Sequence, residues 1–255
     1  MVSSPVQPTQ GDDVHYELDQ LDGTFDDPRV PEHLRLTATT SFEAASQLWR
    51  AVIGDEHLSP RMKELVLLAL HASATALNEK AIRRHVGRAR AAGASERDVL
   101  DVLLSIVGLS NHALYFAVPI LIEELRATRG QDAADLPAAR SDIEEIRQDF
   151  VKTRGFWNEQ RDAIARLLPD YFKALSGLST EPWKHGSLTP KERELIYVAI
   201  DSSVTHMYGA GLALHIRHAL QHGATREEIL AIFQLVALTG LETFILGTEA
   251  LFYKS

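Results

Sequence analysis

Two glutamates and two histidines recur together in this chain: Glu64 and His85 reappear as Glu194 and His215 under a shift of 215 − 85 = 130 residues. An imidazole titrates near neutrality and can take up and return protons, and a buried glutamate can share that task if its pKa rises. The recurring pairs therefore point to proton transfer at carbon or oxygen. Tyr208 stands seven residues before His215, two helical turns away on the same face, so both could line one pocket. His206 is nine residues from His215 and would face away on an unbroken helix, but Gly209 and Gly211 offer a turn that relieves this. Arg84 beside His85 and Arg217 beside His215 could grip a substrate carboxylate through bidentate bonds. Each feature also has a structural explanation. Histidines in Ala/Leu-rich helices pack, first-turn glutamates suit the helix dipole, and arginines form solvated faces.

A metal site is the other chemistry to weigh. His215, His218 and His222 follow an i, i+3, i+7 pattern on one helix side. No carboxylate joins that row, the first copy has Arg88 and Ala92 at the matching places, and His222 before Gly223 suits a helix C-terminus. The sequence therefore assigns no metal. The second copy is the better candidate for a working site. It has His206, Tyr208 and Gly209 where the first has Ala76, Asn78 and Glu79, and His112 finds Glu242 as its counterpart.

These residues need helices to position them, and the chain supplies the helices in duplicate. Leu58 to Leu121 overlays Leu188 to Leu251 without insertion, and so long a period marks two copies of one small domain. Ser59-Pro60 and Thr189-Pro190 are matching helix starts, Gly93 and Gly223 matching ends, and Ser95 and Thr225 matching caps of the next helix. Ser41 is read as the cap of a preceding helix, and Ser141 with Glu144 as the capping box of a linking one. Apolar residues from Ile229 to Leu238 cover more than one helix face, so that helix is read as mostly buried. Alternating strand patterns are lacking, and the fold class is all-α, with two tandem helical units. The expected organisation is a polar N-terminal arm over 1–37, mobile or strapped over a neighbouring subunit; a first unit over 38–125; a linker with a helix over 126–167; and a second unit over 168–255.

Composition narrows the function classes. With no cysteine there is no disulfide, thiolate nucleophile or sulfur-ligated zinc site. A net charge of −9 argues against a phosphate-backbone partner, so nucleic acid is not expected. No apolar run approaches the roughly 20 residues of a membrane span, and Met1 to Pro8 lack the pattern of a secretory signal. The expected location is the cytoplasm, with no membrane partner.

The order Leu-(Ser/Thr)-Pro, a basic residue, Glu-Leu, an alanine-rich helix, a small-residue turn, His, and then Gly-Ala-Thr-x-Glu-Glu-Ile-Leu resembles the carboxymuconolactone decarboxylase family, which includes the AhpD-like alkylhydroperoxidases. Peroxidatic members carry a CxxCxxxH element. Here its cysteine positions hold Tyr208 and Gly211 in one copy and Asn78 and Ala81 in the other, so a thiol peroxidase mechanism is excluded. The resemblance implies a cofactor-independent decarboxylase, or a related isomerase or lactone-processing enzyme, acting on a small carboxylated lactone or β-keto acid. In that reading His215 exchanges the proton, Glu194 orients it, and Tyr208 or His206 bonds the developing enolate, with Glu64 and His85 as the first copy's equivalents. The resemblance also implies a ring-like homo-oligomer, here expected as a trimer. The alternative is a non-catalytic helical scaffold or small-ligand binder.

Overall fold

A computed structural model describes residues 20–252. The chain forms α1 (Arg29–Thr37), α2 (Thr39–Ile53), α3 (Pro60–Ala72), α4 (Glu79–Ala91), α5 (Glu96–Val107), α6 (His112–Arg129), α7 (Ser141–Arg154), α8 (Glu159–Leu167), α9 (Pro169–His185), α10 (Pro190–Ser202), α11 (Gly209–Gln221), α12 (Arg226–Leu238) and α13 (Leu241–Phe252), with no strand among the described residues. The repeat is exact at helix starts: α3, α4 and α5 begin 130 residues before α10, α11 and α12. Ser59, Thr189, Ser95 and Thr225 each accept a hydrogen bond from the backbone N–H three residues on, as their types require. Gly93 and Gly223 take left-handed conformations with φ of 92° and 85°, so the N–H groups of Ala94 and Ala224 can close back on Ala89 and Ala219.

The duplicated helices pack around a pseudo-twofold axis. Helices α3 and α10 lie against each other at the centre, where Leu65, Val66, Leu68, Ile196 and Val198 are fully buried. At the axis Thr205 Oγ1 meets Thr75 Oγ1 at 2.8 Å, each the other's repeat equivalent. One shared core therefore joins the two units. The start of α6 crosses onto the second unit, where His112 meets His206, and the start of α13 crosses back onto the first, where Glu242 meets Arg84 and Asn78. Each unit thus completes the other's polar cluster.

Several expectations are corrected. Residues 20–37 are not a mobile arm or a strap on a neighbour: Leu21, Phe25, Val30 and Leu34 are buried in this chain's own core, and Glu249 of α13 accepts the backbone N–H of Asp26 at 2.6 Å. These apolar residues are too widely spaced to stand out against the polar composition. Residues 1–19 lie outside the described residues. Ser41 does not cap, because α2 begins at Thr39, whose hydroxyl donates to Arg35 O and continues the path of α1. Ser141 is the first helical residue rather than the cap, and Arg140, bridging Asp142 and Asp170, fixes that start. Glu64 and Glu194 sit one turn deeper than the first turn, fully buried, so the helix dipole does not account for them. The linker carries two helices, α7 and α8, over a small core of Tyr115, Val118, Ile143, Ile164 and Phe172. Finally, two helical stretches, 96–129 and 226–252, are long and apolar enough by composition to cross a membrane, although no uninterrupted apolar run is. Each stretch is two helices joined at 108–111 or 239–240, and part of its apolar surface serves the shared core, as at Val102, Ile106, Ile232 and Leu235.

Candidate active site between the two units

Glu194 is the fifth residue of α10 and His215 the seventh of α11, and the hairpin between these helices brings them together. His215 Nδ1 lies 2.6 Å from Glu194 Oε2, with both side chains buried. Burial holds the His215 imidazole below its ordinary pKa, although the bond to Glu194 opposes this. Burial would raise the Glu194 carboxyl, but the His215 bond and the nearby positive charge of Arg154 outweigh it and keep the carboxyl low. Both directions agree on an ionised Glu194 beside a neutral His215. An ionised carboxylate only accepts, so Nδ1–H donates and Nε2 keeps a free lone pair. The arrangement has the chemistry of a base oriented by a carboxylate.

A pocket opens beside this base, lined by His112, Tyr115, Arg154, Phe156, Arg161, Tyr197, Tyr208, Gly211 and His215, and enclosing about 690 Å³ including its open mouth. Tyr208 lines it as the helical spacing implies. It precedes α11 in the cap position, where Asn78 of the first unit bonds Ala81 N–H, whereas Tyr208 makes no cap bond. The second unit thus gives up a cap, worth about 1 kcal/mol, and places a phenol in the pocket. Met207 and Leu77, one residue earlier, have φ of 44° and 42°. This conformation is present in both units, so it belongs to the turn and not to one site. His206 is brought to 2.7 Å from His112, but not by the expected turn at Gly209 and Gly211: both glycines lie inside α11, and the turn that places His206 spans 203–206.

Other expected residues are placed differently. Arg217 is exposed and outside the pocket, being two positions and about 200° around the helix from His215. Arg84 is buried and committed to Glu242 and to the backbone oxygen of Thr24, so it is not available to a substrate. Glu64 and His85 form the same bond at 2.7 Å, but Arg88 also donates to Glu64 at 2.9 Å, and the segment at 20–28 covers that cluster. The first unit's site is filled by the protein's own charges. His218 approaches Glu194 at 3.4 Å, while His222 is exposed at the end of α11, so His215, His218 and His222 do not converge on one point.

Three contributors were not anticipated. Asp201, seven residues after Glu194 on the same face of α10, is fully buried, and neither of its oxygens has a hydrogen-bond partner. Burial, reinforced by Glu194, raises its pKa to about 8. The seven-residue spacing was the available signal. Arg154 and Arg161 come from the linker, which has no repeat to compare. Arg161 lies over the rings of Phe150 at 4.1 Å and Phe156 at 5.0 Å, and its side chain bonds no acceptor among the described residues. Burial lowers its pKa to about 10, so it stays charged at neutral pH. Arg154 stacks on Trp183 at 4.8 Å and Tyr197 at 5.1 Å. Arg154 spends Nη1 on Ser179 O at 3.5 Å, and the remaining donors of these two buried guanidinium groups, held by aromatic rings, are left for an anion.

Gly211 lies within this constellation. A Cβ there would overlap Asp201 Oδ2 and come 2.5 Å from Cδ1 of Tyr208. Gly211→Ala should therefore destabilise the chain by about 1–3 kcal/mol and displace Tyr208, reducing ligand affinity. Thermal unfolding together with ligand titration checks this, and an unchanged midpoint and affinity would refute it. The first unit tolerates Ala81 at this position because Asn78 replaces the tyrosine.

The comparisons with known proteins agree with this architecture. The carboxymuconolactone decarboxylase family matches twice, over residues 40–113 and 169–245, inside the two expected units. A solved structure from Burkholderia xenovorans, provisionally described as a gamma-carboxymuconolactone decarboxylase subunit, is 30% identical, covers 93% of this chain and 95% of its own, and superposes with a TM-score of 0.82. No curated protein matches. A duplicated helical unit with a carboxylate-oriented histidine, matched twice by one family, places this chain in the carboxymuconolactone decarboxylase family.

Proposed function

We propose that the second unit's pocket binds a small carboxylated lactone or β-keto acid and catalyses its decarboxylation, or a closely related isomerisation or lactone opening, by proton transfer through His215 and Glu194. The observation that carries this is the 2.6 Å bond that leaves His215 neutral with a free Nε2. Arg161 and Arg154 supply positive charge for the substrate carboxylate, and Tyr208 supplies a donor for the oxygen on which charge develops. His215 takes the acid proton of the substrate's carboxyl at Nε2; on loss of CO2 the electrons of the broken C–C bond pass to the carbonyl as an enolate, and the same proton returns from Nε2 to carbon. In the first unit, where Arg84 and Glu242 occupy each other, the observations favour the scaffold reading.

The test is CO2 release and ultraviolet absorbance change on a panel of carboxylated lactones and β-keto acids, with Arg161→Met beside the native protein. Native turnover is expected, with kcat/KM about 100-fold lower in the variant, corresponding to roughly 2–3 kcal/mol for a hydrogen bond to a charged group. Absence of turnover across the panel would sink the reading. Equal kcat/KM for both proteins would remove Arg161 from substrate binding.

A further inference from the structure

We propose that His112, Asp201 and His206 bind a divalent first-row transition ion at the boundary between the two units. The ligating atoms of these three residues lie within 4.8 Å of one another. His112 Nδ1 and His206 Nε2 are 3.7 and 3.6 Å from Asp201 Oδ1, and 2.7 Å from each other. The two imidazoles can share at most one proton, and neither reaches the carboxylate within hydrogen-bond range. Two imidazoles and a carboxylate thus converge, and an ion would displace the one proton that the imidazoles share.

The repeat shows what is missing. In the first unit the equivalent positions hold His71, Glu242 and Ala76, and the guanidinium of Arg84 compensates the carboxylate. In the second unit Leu214 replaces Arg84, Asp201 replaces His71, and His112 and His206 replace Glu242 and Ala76. The resident cation is gone, the carboxylate has moved to a fully buried position, and imidazoles have been added around it. The other charged groups facing this cluster are Glu194, occupied by His215, and Arg161 and Arg154 across the pocket, neither of which bonds Asp201. A buried carboxylate without a partner is costly, so a proton or a cation must neutralise it. Two imidazoles and one carboxylate suit zinc or iron(II) rather than magnesium or calcium, which prefer oxygen. Such a set leaves coordination positions open toward the pocket, where Arg161 lies, so a substrate carboxylate or enolate oxygen could bridge ion and guanidinium. His215 Nε2, 3.8 Å from Asp201 Oδ2, remains a neighbour and is not required as a ligand. This inference goes beyond the acid–base reading, and either can fail alone.

The experiment is a titration of chelator-stripped full-length protein with Co²⁺, followed by its visible absorption and by calorimetry, with Zn²⁺ as competitor. The native chain is expected to take up one ion, with ligand-field bands of an imidazole and carboxylate site. His206→Ala, which alters a half-exposed turn residue and spares the fold, and Asp201→Asn should each weaken binding about 100-fold or more, at least the loss that second-shell partners can cause. His222→Ala and Glu242→Gln should bind as the native chain does. No saturable binding to the native protein would overturn the site. So would equal binding by His206→Ala, or a loss confined to His222→Ala. The readout does not depend on catalysis, so turnover that needs His215 but no ion would leave the acid–base reading standing while this one falls.

Discussion

His215→Ala is expected to lower turnover by about 10²–10⁴-fold, the usual contribution of a positioned general acid or base, while His85→Ala leaves the rate nearly intact. The two residues are repeat equivalents with nearly the same bond to a buried glutamate, so that bond alone would give equal effects. Their surroundings differ. His215 has an oriented Nε2 on a pocket, whereas the His85 ring stacks on His71 at 5.2 Å within a cluster already neutralised by Arg84 and Arg88. His85→Ala should instead cost stability, about 1–3 kcal/mol for a broken buried bond, moderated because Arg88 still holds Glu64. The pH dependence follows from the direction of the His215 shift. Catalysis needs the neutral imidazole, and burial holds the pKa below the ordinary 6.5, so the acid limb of kcat/KM should fall below that value. Glu194→Gln, which removes the opposing anion, should move the limb further toward acid and reduce the rate. Rates measured from pH 4 to 9 on all four proteins, with circular dichroism as a fold check, decide the matter. Unchanged turnover in folded His215→Ala would refute the assignment.

Much of this was legible in the sequence because duplication gives a single chain an internal comparison. Helix starts and glycine stops were read from positions repeated at a fixed offset and lie where that reading put them, whereas the glutamates of the Glu–His pairs, read the same way, lie deeper in their helices than the first turn. What escaped was whatever the duplication does not repeat. Arg154 and Arg161 sit in the segment between copies, and their role depends on how α7 and α8 fold over the second unit. Asp201 was hidden because its counterpart is His71, so position 201 is not repeated between the copies. The exchange of α6 and α13 between units is a tertiary fact; the odd pairing of His112 with Glu242 signalled divergence but not the crossing. Arg217 was misplaced for a simpler reason, since adjacency in sequence was given more weight than helical angle.

The same divergence shapes stability, and Arg193 shows how. It precedes Glu194 on α10, is 1% exposed, and forms a bidentate pair with Asp101 of α5, through Nη1 to Oδ1 and through Nη2 to Oδ2 at 2.9 Å. Arg193 also donates to Ser105 Oγ at 2.8 Å, and Asp101 accepts the Leu188 N–H at 2.9 Å. In the first unit the equivalent residue, Lys63, is buried against the backbone oxygens of Ile53 and Asp55. Arg193→Ala leaves Asp101 buried without its cation, and breaking such a pair from one side typically costs about 3–5 kcal/mol. That is a large share of the roughly 5–15 kcal/mol available to a folded domain. The pair need not be a net gain over an apolar contact, however, so Arg193→Met with Asp101→Leu should recover most of the loss. Urea unfolding of the native protein, the single variant and the double variant separates these effects. A single-variant loss below about 1 kcal/mol, within the range of a surface pair, would show that water reaches Asp101. A double variant as unstable as the single one would show that the arginine's geometry, and not its charge, holds α5 to the helix that carries Glu194.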